Sequence, residues 1–169
     1  MQIELDDVLQ LLRVYRHDLL NQLQLVDGYA GMGQHDVSRE KLQVLINQLK
    51  NERILQTIQA PQFVFWLINL KLNERDFNIN WEVENNHQSI EEFDHLLVHD
   101  GKLLTHYLKQ QFNDFTQVHM FIQINFDNKW YIKYQIKDID LPVEPTFNGY
   151  GTLDVLKHDD TTSFVFTYK

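Results

Sequence analysis

Arg13-Val14-Tyr15-Arg16-His17-Asp18-Leu19-Leu20-Asn21-Gln22-Leu23-Gln24 carries two patterns at once. The first is apolar. Working outward from it, Val8, Leu12, Tyr15, Leu19, Leu23, Val26 and Ala30 recur in steps of three and four, the spacing of a helix face that packs on other helices. A helix is therefore expected from about Leu5 to Tyr29. The second pattern is polar: Arg13, His17, Asn21 and Gln24 are spaced four, four and three apart and share another face of the same helix. With Leu12 and Leu19 turned inward, His17 points outward.

Gly28, Gly31 and Gly33 then loosen the helix and supply a turn. Asp36 or Ser38 is expected to cap a second helix, which carries Leu42, Leu45, Ile46, Leu49, Leu55 and Ile58. Gln59-Ala60-Pro61 ends it, because proline lacks an N–H and restrains the residue before it. Two such helices share only a thin core. Pairing two hairpins into a four-helix bundle is the natural way to bury what remains, so a homodimer is expected on burial alone.

Beyond residue 60 the pattern changes. A short apolar helix is expected from about Gln62 to Arg75. Phe77 to Val83 alternates apolar and polar, as a strand does. Glu92 to Phe112 is expected to be mostly helical, with a possible break at Asp100-Gly101. Val118 to Phe126 and Trp130 to Ile136 form two strands joined by Asp127-Asn128-Lys129, a hairpin signal. Leu141 to Pro145 is loop, and Ser163 to Tyr168 a last strand. The expected architecture is α+β: a helical hairpin over residues 1–60, then a small domain over 61–169 with helices on one face of a mostly antiparallel sheet.

Composition narrows the class. The 169 residues are 43% hydrophobic and 12% aromatic, enough for one ordinary core or two small units. The absence of cysteine excludes disulfides, thiolate metal sites and a cysteine nucleophile. A net charge of −9 disfavours nucleic acid as a general partner. No apolar run reaches the roughly 18 residues of a membrane helix. Acidic residues stand where a signal peptide would be basic. A cytoplasmic protein without a membrane partner is expected.

The polar stripe is where chemistry is expected. An exposed neutral imidazole is nucleophilic and forms a phosphoramidate. Arg13 offsets phosphoryl charge, Asn21 hydrogen-bonds the ring or the phosphoryl oxygens, and Asp18 orients the imidazole. Taken alone, a surface histidine among polar neighbours fits the same residues.

Arg16-His17-Asp18-Leu19-Leu20-Asn21-Gln22-Leu23-Gln24-Leu25-Val26-Asp27-Gly28 resembles the phosphoacceptor box of the sporulation initiation phosphotransferase B family, shared with sensor kinases of the citrate and dicarboxylate type. The resemblance extends over both hairpin helices and weakens through Phe63–Glu84. It implies a dimer made through a four-helix bundle, with a C-terminal domain derived from a histidine-kinase ATPase, a degenerate α/β sandwich. It also implies that His17 takes a phosphoryl group from one response-regulator aspartate and passes it to another. The Mg²⁺ would come with the partner's acidic pocket, so the chain is expected to hold no cofactor and no metal of its own.

The same resemblance implies an eroded nucleotide site. Gln110 or Gln111 falls where an Asn is expected. Asp138-Ile139-Asp140-Leu141-Pro142 keeps an acidic residue but lacks the two glycines of an Asp-x-Gly-x-Gly loop. Asn148-Gly149-Tyr150-Gly151-Thr152-Leu153 keeps a glycine-rich look, although Gly149 and Gly151 fit a plain turn as well. A phosphotransferase is thus expected rather than an ATP-dependent kinase, with a non-catalytic dimeric scaffold for a two-component partner as the alternative.

Other features are plainer. His95 and His99 are spaced as a zinc pair, but no third ligand is placed, and a solvated helix face accounts for them. Glu91, Glu92 and Asp94 form a helix-start cluster. Asp159 and Asp160 suit a turn, and Trp66, Trp81 and Trp130 suit the core or its rim.

Overall fold

The computed structural model describes residues 3–74, 76–84, 88–111, 117–137, 145 and 148–169. They fall into two compact units, Gln2–Ile54 and Leu55–Lys169.

The first unit holds two helices, α1 (Leu5–Gly31) and α2 (His35–Leu55), the latter running one residue into the second unit. The Glu4 N–H donates to Asp7 Oδ2 at 3.1 Å, closing the start of α1. Asp36 and Ser38 lie inside α2 and do not cap it. Ser38 instead turns its hydroxyl across the hairpin and donates to the Val26 carbonyl at 2.9 Å. A second tie, Tyr15 hydroxyl to Glu52 Oε2 at 2.9 Å, joins the helices 37 residues apart.

The second unit begins at Leu55, which with Ile58 and Ala60 already belongs to its core. A 3₁₀ turn, Gln56–Ile58, leads to α3 (Pro61–Asn73), with proline in its first turn where the missing N–H costs nothing. Then follow β1 (Phe77–Val83), a 3₁₀ turn at Glu91–Phe93, and α4 (Asp94–Gln111). Strands β2 (Val118–Phe126), β3 (Trp130–Lys137), β4 (Thr152–His158) and β5 (Thr161–Tyr168) complete it.

The sheet order is β1-β2-β3-β5-β4, with β1 parallel to β2 and every other pair antiparallel. A parallel neighbour requires a crossover, and α4 lies in the connection between β1 and β2. Alternation fixes the buried face: Phe77, Ile79 and Trp81, then Val118, Met120, Ile122 and Ile124, then Trp130, Ile132, Tyr134 and Ile136, with Phe164, Phe166 and Tyr168. They form one cluster with Phe63, Trp66, Leu67 and Leu70 of α3 and Leu97, Leu104 and Leu108 of α4. The α+β class holds.

The sheet is mostly antiparallel as expected, with one parallel pair at its β1 edge. Two expectations are corrected here. Thr152–His158 is a strand, although its sequence suggests only the end of a glycine-containing turn. The helix is unbroken at Asp100-Gly101, because Gly101 is where the Trp66 ring crosses α4 too closely for any side chain. The Asp138–Glu144 stretch lies outside the described residues.

Asp94 does more than start α4. Its buried carboxylate accepts from the N–H groups of Gln62 at 3.0 Å and Phe63 at 2.8 Å, capping α3 from a distant segment. Replacing Asp94 with Ala leaves both donors without that partner. It should lower unfolding free energy by about 1–3 kcal/mol in chemical denaturation, with Asp94→Asn recovering part of the loss.

Candidate functional site

Advancing about 100° per residue, α1 presents three faces. Leu11, Tyr15, Asp18, Leu19 and Gln22 are buried or half-buried on the side that meets α2. Leu5, Leu9, Leu12, Leu20 and Leu23 form a second stripe, and all five are exposed. Arg13, His17, Asn21 and Gln24 occupy the third face, and these too are exposed. The sequence pattern joined Leu12 and Leu23 to the inward face. In the single chain they belong to the second stripe.

His17 lies roughly a quarter turn of helix from the centre of that apolar stripe, and its side chain is 73% exposed. Its Nδ1 is 3.1 Å from Asp18 Oδ1 and 3.3 Å from Asn21 Nδ2. One ring nitrogen cannot donate to the first and accept from the second. The shorter contact is to a charged acceptor, and such bonds are the stronger kind. The proton therefore lies on Nδ1, donated to Asp18. Nε2 then keeps its lone pair and faces solvent. Arg13 stands one turn towards the N-terminus on the same face, supplying positive charge without a close contact to the ring.

Sequence reasoning missed the ties that hold this stem, since neither Tyr15–Glu52 nor Ser38–Val26 is signalled by local spacing. Burial first, and then the Glu52 carboxylate that accepts its hydroxyl, push the Tyr15 phenol up to about 12.

Asp100 is the other notable site residue. It is fully buried and accepts from Tyr150 N at 2.8 Å, Gly151 N at 2.7 Å and the Tyr168 hydroxyl at 2.9 Å, with His99 Nδ1 at 3.1 Å. Burial and the neighbouring Tyr134 and Asp100 hold the Tyr168 phenol far above its ordinary range. A side chain at Gly149 would meet the Asp100 carboxylate at 2.8 Å. These glycines allow the close approach of an internal carboxylate, and the N–H groups of Tyr150 and Gly151 are turned towards it. Gln110, a candidate for a nucleotide-site position, pairs with His106 at 2.9 Å. The Asp138-Ile139-Asp140-Leu141-Pro142 segment lies outside the described residues. Among the described residues no group of three or more His, Asp or Glu stands close enough to hold a metal ion, His95 and His99 included. Nor is any described helix long and apolar enough to cross a membrane.

An α+β chain with a helical hairpin bearing an exposed His-Asp pair is what the geometry defines. Residues 1–57 match the family described as sensor kinase SpoOB-type, alpha-helical domain. Across 164 residues the chain is 20% identical to sporulation initiation phosphotransferase B of Bacillus subtilis (strain 168), covering 93% of this chain and 85% of that one. Similar solved structures include the histidine kinase ThkA in complex with response regulator protein TrrA, at 12% identity and a TM-score of 0.44. Another is the Erythrobacter litoralis EL346 blue-light activated histidine kinase, at 15% identity and a TM-score of 0.41. The matches cover 91% and 99% of this chain, and the chain spans 59% and 60% of theirs.

The Tyr15 tie makes the stem sensitive to alkali. Because the phenol titrates near 12 when folded and near 10 when unfolded, the folded state holds the proton more tightly. Its contribution is complete below pH 10 and falls away as pH rises through 12. Thermal unfolding of the full chain between pH 9 and 11 should therefore fall more steeply in the wild type than in Tyr15→Phe.

Proposed function

We propose that this protein is a histidine phosphotransferase that relays a phosphoryl group between response-regulator aspartates through His17. The observation that carries the reading is the His17 ring itself, exposed on the outer face of α1 with Nδ1 against Asp18 at 3.1 Å. The similarity to a phosphotransferase over most of the chain supports it.

The transfer step follows from that geometry. The Nε2 lone pair attacks the phosphorus of an aspartyl phosphate on the partner. The N–P bond forms as the acyl P–O bond breaks, and the aspartate leaves as its carboxylate. The ring gains positive charge while retaining its Nδ1 proton, and Asp18 offsets that charge. Arg13, one turn away on the same face, offsets phosphoryl charge, and the Asn21 amide, 3.3 Å from Nδ1, steadies the ring or turns to the phosphoryl oxygens. The reverse transfer uses the same atoms. The receiver's acidic pocket supplies Mg²⁺, which neutralises phosphoryl charge when bound there.

The working unit is a homodimer. Leu5, Leu9, Leu12, Leu20 and Leu23 of α1, with exposed Leu42 and Leu49 of α2, carry more apolar surface than a solitary hairpin can cover. A second hairpin laid against these stripes makes a four-helix bundle and leaves His17 on its outside. The compartment that suits such a relay is the cytoplasm.

Incubation with a phosphorylated receiver domain should transfer acid-labile, base-stable phosphate to the chain. His17→Ala should abolish it, and Asn21→Ala should slow it by about tenfold or more. Unchanged labelling in His17→Ala would sink the assignment. Absence of label on the wild type, with receiver binding intact, would favour a scaffold.

Sedimentation equilibrium should give a dimer for the wild type and a monomer for Leu12→Glu combined with Leu23→Glu. A monomeric wild type would refute the bundle.

A further inference from the structure

One face of the sheet is covered by α3 and α4, and along most of the other the residues are those of a solvated surface. Gln123 Nε2 donates to Glu82 Oε2 at 3.3 Å, and Lys133 lies opposite Gln123 in register. At the β1–β3 end the character differs. Asn78 and Asn80 of β1, His119 and Phe121 of β2, and Gln135 and Lys137 of β3 surround a cleft of about 490 Å³. That volume suits a small molecule.

The lining is unusual in three respects. Among the described residues it contains an ammonium and an imidazole but no carboxylate, in a chain of net charge −9. Asparagine is depleted in strands, yet Asn78 and Asn80 occupy alternate positions of one short edge strand, both on this face. Among the described residues, no hydrogen bond or ion pair engages the side chains of Asn78, Asn80, His119, Gln135 or Lys137. Phe121 lies in register between Asn80 and Gln135, so an aromatic ring is flanked by two carboxamides.

We infer that this cleft is a binding site for a small ring-bearing organic anion. The flat body of the ligand lies on Phe121, and its polar ring edge meets the carboxamides of Asn80 and Gln135. Its acidic group, carboxylate or phosphate, meets Lys137 and His119. A charge-assisted bond and an apolar contact supply affinity together, and the amides, which both donate and accept, read the ring edge. The site makes no use of His17 and stands or falls independently of the phosphotransfer reading.

Adenosine monophosphate and 4-hydroxybenzoate serve as probes of the two acidic groups, with adenosine and inorganic phosphate as the halves of the first. Titration of the full chain, followed by the side-chain amide resonances of Asn78, Asn80 and Gln135, should show saturable shifts with at least one ring anion. Each half alone should bind more weakly by about tenfold or more. Lys137→Ala, at an exposed position that leaves the core intact, should weaken the ring anion by about tenfold; Phe121→Ala should do likewise. Preference between the two probes identifies the acidic group as phosphate or carboxylate. No saturable shift at millimolar ring anion, shifts confined to other residues, or affinity unchanged by Lys137→Ala would each overturn the inference.

Discussion

Two antiparallel helices cannot bury what these two carry. Packing one helix on another covers a single stripe of each, and here Leu11 and Leu45 are the apolar side chains of the hairpin buried on that account. A row of five leucines on α1, and a shorter row on α2, remain in contact with water. At roughly 25 cal/mol per Å² of apolar surface, such a row is a standing drive to association. The same constraint disposes of the helix surface. With one face against α2 and one carrying the unpaired leucines, the third is left for groups that must be reached by another molecule. His17 lies on that third face, and its exposure follows from how the other two are filled.

The two units meet the requirement for fixed geometry in different ways. In the hairpin, rigidity comes from a few ties: a hydroxyl on a carboxylate, another on a helix carbonyl, and a thin seam of apolar contacts. In the sheet unit it comes from a dense core and two buried carboxylates, each satisfied by backbone donors of a distant segment. Asp94 holds the start of α3, and Asp100 holds the chain entering β4. A buried carboxylate is tolerated when several donors meet it. Asp100 has taken the donors of the glycine-containing turn for the protein's own use. Such a turn offers its N–H groups poorly to an outside phosphate.

Much of this was legible in the residues. Long periodic segments such as α1, α2 and the β2–β3 pair announce themselves because each repeats one spacing for many residues, and Asn128, with φ of 58°, is a residue type that tolerates such a turn. The failures have local causes. In β4, alternate residues are only half-buried and the rest exposed, so the apolar contrast that marks a strand is faint. Asp100-Gly101 resembles a break because the reason for the glycine, the Trp66 ring, lies 35 residues away. At the candidate site, the spacing of Arg13, His17 and Asn21 was visible, and so was the pairing with Asp18. The division of the leucines into an inward stripe and an unpaired one was not. It depends on the angle at which α2 lies, which no single helix encodes.

The imidazole–carboxylate contact alone does not single out His17. Three His-Asp dipeptides of this chain, at His17, His99 and His158, place Nδ1 within 3.0–3.1 Å of the next residue's carboxylate. Adjacency in sequence makes that contact cheap, so surroundings must decide. Beside His99 the carboxylate is already consumed by three other donors, and the ring lies edge-on to Tyr150 at 4.8 Å. His158 ends a strand at a hairpin turn, where its partner Asp159 carries a positive φ and both side chains stand in solvent. His17 alone of the three has an arginine one turn before it and a carboxamide one turn after on an exposed helix face, beside a stripe of exposed leucines. Chemistry at an exposed nitrogen needs both a fixed ring and groups placed for the incoming charge, and that combination distinguishes this pair from the other two.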